Sequence, residues 1–103
     1  MENYFTDKIY DNLTLAKFQK GEYEGCVFKN CDWSSGNLGG YSFIDCEFEN
    51  CNLSNCIVDS TSFRDVSFIS CKLIGIDFSI INKFIFSISL EECNLDYSVF
   101  YEM

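Results

Sequence analysis

The 103-residue sequence predicts an all-β chain, a four-sided β-solenoid of about four to five coils. Two observations predict it. Counting in fives from Leu13 gives Phe18, Tyr23, Phe28, Trp33, Leu38, Phe43, Phe48, Leu53, Val58, Phe63, Phe68, Leu73 and Phe78, an unbroken series of large apolar residues. Helices repeat near 3.6 and strands near 2, so a period of five needs a different geometry. The second observation is that positions twenty apart hold like with like, as in Phe28, Phe48 and Phe68. Four five-residue sides closing one square turn would stack those positions at the strand spacing of about 4.8 Å.

The remaining positions of the unit are as selective as its centre. Two residues before it stand Gly21, Cys26, Cys31, Gly36, Cys46, Cys51, Cys56, Thr61, Val66, Cys71 and Ile76, which are small or β-branched and expected to point inward. Two after it stand Gly25, Asn30, Ser35, Gly40, Asp45, Asn50, Asn55, Ser60, Asp65, Ser70 and Gly75, the residue types of tight turns. Flanking positions such as Glu22 and Glu24 or Glu47 and Glu49 are polar and face water.

The predicted columns are Phe18, Leu38, Val58 and Phe78; Tyr23, Phe43 and Phe63; Phe28, Phe48 and Phe68; and Trp33, Leu53 and Leu73. After Phe78 the register fails at Lys83 and resumes two residues late with Leu90, Leu95 and Phe100. A two-residue bulge is therefore expected within 79–87, with Ile81, Phe84 and Phe86 still packing inward. Residues 1–10 do not fit the series and are expected to form an N-terminal cap, leaving 11–103 as the solenoid.

A small residue, a polar residue, Leu or Phe, then two polar residues resembles the pentapeptide repeat family, whose consensus is A(D/N)LxX. The resemblance covers roughly 11–103 and implies a right-handed quadrilateral β-helix. The sequence departs from the consensus in placing Cys where Ala is usual and Tyr41 where a small residue belongs. Tyr41 has Gly21 and Thr61 as its column neighbours, which makes room for it.

The seven Cys are an odd number in a chain with no secretory signal at its start, which points to reduced thiols in a cytoplasmic protein. Cys31, Cys51, Cys71 and Cys93 form one interior file. Four residues spaced at about 4.8 Å cannot surround one tetrahedral zinc ion with bonds of about 2.3 Å. Stacked parallel Cβ vectors also sit wider than a disulfide wants. The file therefore reads as core, with no metal and no cofactor. There is no His to activate a nucleophile, and Gly36, Gly39 and Gly40 occupy repeat positions, not a phosphate loop, so catalysis is not expected.

The net charge of -9 argues against direct contact with nucleic acid or an anionic membrane and favours a basic partner. The candidate partner-binding residues are Glu22 and Glu24 on one side, Asp45 at a corner, Glu47 and Glu49 on the adjoining side, and Glu91 and Glu92 further up. The expected function is a non-catalytic protein-interaction or structural module, for which outward Ile44, Ile57, Ile69 and Ile74 speak. The alternative comes from the resemblance. Some members, the Qnr-type quinolone-resistance proteins among them, are acidic dimeric rods that resemble DNA and bind type II topoisomerases, which implies DNA gyrase or topoisomerase IV as partner. Lys17, Lys20, Lys29, Arg64 and Lys72 interrupt the acids, and no long loop stands out. At the C-terminal end Phe100 is an uncapped repeat centre, so either a homodimer through Val99, Phe100 and Tyr101 or further chain is expected to cover it.

Overall fold

The computed structural model describes residues 3–100. Nine short strands, all paired in parallel, form two sheets that lie on adjoining sides of a four-sided β-helix. Side 1 holds β1 (Asn3–Thr6), β3 (Gly21–Glu24), β5 (Ser42–Ile44) and β7 (Ser62–Arg64). Side 2 holds β2 (Ile9–Asp11), β4 (Val27–Lys29), β6 (Glu47–Glu49), β8 (Val66–Ile69) and β9 (Ile88–Glu91). Sides 3 and 4 run through turns joined by single bridges such as Asp32 to Asn52 and Asn37 to Ile57.

The corners fall where the turn residues are. All eleven expected corner residues, from Gly25 to Gly75, have a positive φ between 52° and 77°. Asn, Asp, Ser and Gly tolerate this left-handed conformation best, and it turns the chain by one side. Between corners the pleat sends the centre and the residue two before it into one core, whose members include Tyr23, Phe28, Trp33, Phe43, Phe48, Phe63, Phe68 and Phe78.

The columns stack ring on ring. On side 1, Phe5, Tyr23, Phe43 and Phe63 follow at centroid distances of 4.7, 5.8 and 5.7 Å. On side 2, Tyr10, Phe28, Phe48 and Phe68 follow at 5.3, 4.7 and 5.0 Å. Each step is the rise of one coil, so aromatic faces are covered above and below in the offset-stacked arrangement that they favour.

The register changes near both ends of the solenoid, unexpectedly at the first and as expected at the last. Residues 3–10, expected to belong to a cap, form the first rung together with Asp11. β1 and β2 pair in register with β3 and β4, Phe5 beside Tyr23 and Tyr10 beside Phe28, at an offset of eighteen. The missing two residues fall between Asn12 and Phe18, where a 3-10 turn, Leu15–Lys17, replaces an ordinary corner. That shortening hid Phe5 and Tyr10 from a count made in fives.

At the other end the offset changes from twenty, Ser62 to Asn82, to twenty-two, Val66 to Ile88. The extra residues are Phe86 and Ser87. Ser87 N–H donates to the Phe63 carbonyl at 3.1 Å, and Ser87 carbonyl accepts from Val66 N–H at 3.1 Å. Ile81 is buried and Phe86 packs partly against the core, as expected. Phe84 does not: it is 78% exposed, because the chain turns at Asn82 and sends the next side chains into water.

That turn recurs on most of the sides that bend, though the sides carrying Ile57 and Lys72 bend without it. Asn82 Oδ1 accepts from Phe84 N–H at 3.0 Å, and Asp32, Asn37, Asn52, Asp77 and Asn94 do the same for the N–H two residues on, at 2.8 to 3.1 Å. An Asp or Asn just before the centre thus makes an Asx turn, and the side bends. Sides 1 and 2 carry Glu, Ser or Val there in the middle coils and stay extended. Side 1 loses its strand in the last coil, where Asn82 takes that place.

The thiols do more than fill space. Cys46 Sγ donates to the Tyr23 carbonyl at 3.2 Å, Cys51 to Phe28 at 3.3 Å, Cys56 to Trp33 at 3.0 Å, Cys71 to Phe48 at 3.3 Å and Cys93 to Phe68 at 3.2 Å. In each case the acceptor is the centre residue one coil below. Thr61 reaches Leu38 the same way at 2.7 Å, and the Tyr41 hydroxyl reaches the Phe18 carbonyl at 2.9 Å. Tyr41 is therefore a longer arm making the bond that a thiol makes elsewhere.

Candidate interaction surface

Strand alternation places two outward rows on each sheeted side. On side 2 one row runs Ile9, Val27, Glu47, Ser67, Ser89 and the other Asp11, Lys29, Glu49, Ile69, Glu91. On side 1 the rows are Tyr4, Glu22, Ser42, Ser62 and Thr6, Glu24, Ile44, Arg64.

The fold brings some of the acids together and keeps others apart. Glu47 and Glu49 share the outer face of β6 and are half-buried. A hydrogen bond between the two carboxyls raises the Glu47 pKa first, helped by burial and by repulsion from Glu49, while Lys29 opposes it. Glu91 lies in line with Glu49, with Ile69 between them. Glu22 and Glu24 lie on the adjoining side, where Glu24 accepts a 2.5 Å hydrogen bond from the Tyr4 hydroxyl. That bond is the main reason the Tyr4 pKa is pushed up to about 12. Asp45 stands at the corner between the two sides and Glu92 at the corner beyond side 2, both with left-handed backbone.

At the C-terminal end Phe100 stacks on Phe78 at 4.7 Å and is 40% exposed, and Val99 is 45% exposed. Tyr101 lies outside the described residues. Leu90, expected as a buried repeat centre, is 40% exposed on the last coil, and Tyr97, which the sequence did not single out, is almost fully exposed.

The interior thiols differ in acidity: hydrogen bonding with Cys51 lowers Cys31 to about 7 and lowers Cys71 as well. All seven thiols are free, and six are buried. Burial pushes Cys46 up to about 12 and Cys56 up to about 11, which keeps them protonated and poor nucleophiles. Cys51 is raised by its hydrogen-bonded neighbours Cys31 and Cys71 together with burial. Among the described residues no three His, Cys, Asp or Glu surround a point where a metal ion could sit.

A family model described as a pentapeptide repeat region matches residues 16–100. The chain belongs to the pentapeptide repeat family. No curated protein matches it. Among solved structures, this pentapeptide repeat chain is similar to full-length QnrB1, described as a plasmid-mediated fluoroquinolone resistance protein. The identity is 19% and the TM-score 0.57, over 93% of this chain and 60% of that one. A trypsin-treated form of QnrB1 matches at 21% identity and a TM-score of 0.52, over 93% of this chain and 57% of that one. At these identities the likeness is one of fold. The chain spans less than two thirds of the length of QnrB1. No helix among the described residues is long and apolar enough to cross a membrane.

Proposed function

We propose that this pentapeptide repeat protein is a non-catalytic protein-interaction or structural module of the cytoplasm, presenting sides 1 and 2 to a protein partner. The observation that carries this reading is the outer row of side 2. Asp11, Lys29, Glu49, Ile69 and Glu91 succeed one another at single-coil steps, so charge changes sign twice along the row, is absent at Ile69 and returns at Glu91. A surface imitating B-DNA needs an uninterrupted negative run of about one charge per 1.7 Å of axis. Mixed polar and apolar rows suit a protein partner better, since aliphatic and charged groups there find separate complements.

The second reading is topoisomerase-directed DNA mimicry, with DNA gyrase or topoisomerase IV as partner. The Glu47 and Glu49 pair on side 2 and Glu22 and Glu24 on side 1 favour it, as does the likeness of fold to QnrB1. A supercoiling assay separates the two. Inhibition at micromolar protein that disappears when Glu22, Glu24, Glu47 and Glu49 are changed to Lys would establish mimicry. With no inhibition, affinity capture from the host should recover a partner with the native chain and lose it with the same four-residue variant. In either reading, a homodimer through Val99 and Phe100 would cover apolar surface on the last coil, and light scattering reports it directly.

A further inference from the structure

Cys31, Cys51, Cys71 and Cys93 follow one another at single-coil steps where side 3 begins. The parallel bridge between Asp32 and Asn52 holds the residues just before them, Cys31 and Cys51, one strand spacing apart, about 4.8 Å. Cys51 has Cys31 and Cys71 as its thiol neighbours. Cys31 and Cys51 are buried in the core, and both also line a surface groove of about 240 Å³ whose other walls include Asp32, Asn52 and Lys72. The way from water to this pair is therefore short. Cys51, Cys71 and Cys93 each donate to a centre residue one coil below, whereas Cys31 Sγ donates at 3.3 Å to the Lys29 carbonyl of its own coil. Among the described residues Cys31 has no acceptor on the coil below.

We propose that Cys31 and Cys51 bind one two-coordinate soft metal ion, Cu(I), between their sulfur atoms. Two collinear metal–thiolate bonds of about 2.3 Å span about 4.6 Å, close to the step of one coil. The spacing that is wide for a disulfide and wrong for a tetrahedral ion thus suits a linear one. Soft thiolate donors favour Cu(I) over harder ions, and two of them in line complete its coordination. Binding breaks two S–H bonds, forms two Cu–S bonds and releases two protons to water, with no change of oxidation state. At Cys31 the only hydrogen bond given up is the one to Lys29. One net negative charge remains on the pair, and Lys72 is the cation among the residues that line the same groove.

The test offers the full chain Cu(I) as its glutathione complex, with glutathione in excess. The native chain is expected to take up one ion and keep its circular dichroism spectrum, and X-ray absorption at the copper edge should show two sulfur neighbours. Cys31→Ser and Cys51→Ser, which keep size and polarity, should each weaken the apparent affinity at least tenfold. Cys56→Ser, outside the file, should bind as the native chain does. No uptake would overturn the site, as would uptake that comes only with loss of the native spectrum. Three or more sulfur neighbours would overturn the linear geometry, and this measurement on the native chain stands even where a serine variant fails to fold. Native affinity in Cys31→Ser or Cys51→Ser, or an equal loss in Cys56→Ser, would overturn the assignment to this pair.

Discussion

The thiol of Cys56 donates a 3.0 Å hydrogen bond to the carbonyl oxygen of Trp33, one coil below. The same bond recurs at Cys46, Cys51, Cys71 and Cys93, and from the Thr61 hydroxyl. The Trp33 carbonyl also accepts from the Gly36 N–H at 3.0 Å, so the thiol supplies a second bond to it, worth about 0.5–1.5 kcal/mol. Thr and Val have the same shape and differ in that donor. Cys56→Thr should therefore be more stable than Cys56→Val by about 0.5–1.5 kcal/mol in urea unfolding. Equal stabilities would show the thiols to be packing groups alone.

Among the described residues with left-handed backbone, Ile85 is the one that is β-branched, at φ 54°, and it is 48% exposed. A left-handed Ile is strained by roughly 1–2 kcal/mol, and its half-exposed side chain recovers little by burial. Ile85→Asn, which gives this corner a residue type used at the others, should raise stability by about 1 kcal/mol. A urea midpoint that falls would mean that Ile85 holds the bulge through packing.

The raised thiols set the response to alkali. Cys46 and Cys56, at about 12 and about 11, lie above the unfolded thiol range, and burial also raises Tyr10 and Tyr41. A group raised in the folded state adds stability that is complete below its unfolded pKa and is lost as pH climbs through the folded value. The urea midpoint should hold up to pH about 8 and then fall between about 9 and 11, by a loss on the order of a few kcal/mol. A midpoint unchanged from pH 8 to pH 11 would contradict it. At pH 8 a thiol reagent should label the half-buried Cys93 first and the six buried thiols only on unfolding.

A Cβ on Gly21 would sit 2.5 Å from the Asn3 carbonyl oxygen and 2.9 Å from the Asn3 Cβ. Gly21→Ala should therefore push β1 off β3 and cost about 1–3 kcal/mol. Hydrogen exchange should locate the damage in residues 3–6, with the amides of β5 and β7 protected as before. Loss of protection throughout would show that the first rung nucleates the others.

Much of the fold was legible because the repeat states two things at once, a centre to bury and a corner to turn. Every corner residue from Gly25 to Gly75 was readable in this way, and so was the two-residue shift after Phe78. The first rung was not, because the shortened passage from Asn12 to Phe18 breaks the count. Phe84 looked like core since it is aromatic, but the Asx turn at Asn82 decides its direction. The same Asp or Asn before the centre, present at Asp32, Asn37, Asn52, Asp77 and Asn94, could have marked most of the bent sides, though not those at Ile57 and Lys72. The thiol donors were hidden because Cys reads first as a small hydrophobe. For the surface, adding twenty to Lys29 already places it beside Glu49, so the broken charge row was present in the sequence. What no count provides is the raised pKa of Glu47 beside Glu49.

The parallel register at twenty residues makes the molecule divisible. If residues 44–63 were excised, Phe43 would be followed by Arg64, and each severed partnership would find an equivalent. Glu47 N–H now donates to the Cys26 carbonyl and Ser67 N–H to the Cys46 carbonyl, so in the shortened chain Ser67 would inherit Cys26. Phe28 would meet Phe68 in place of Phe48. Length in this protein is a property that whole coils can change without a new fold, and the breadth of the faces offered to a partner changes with it.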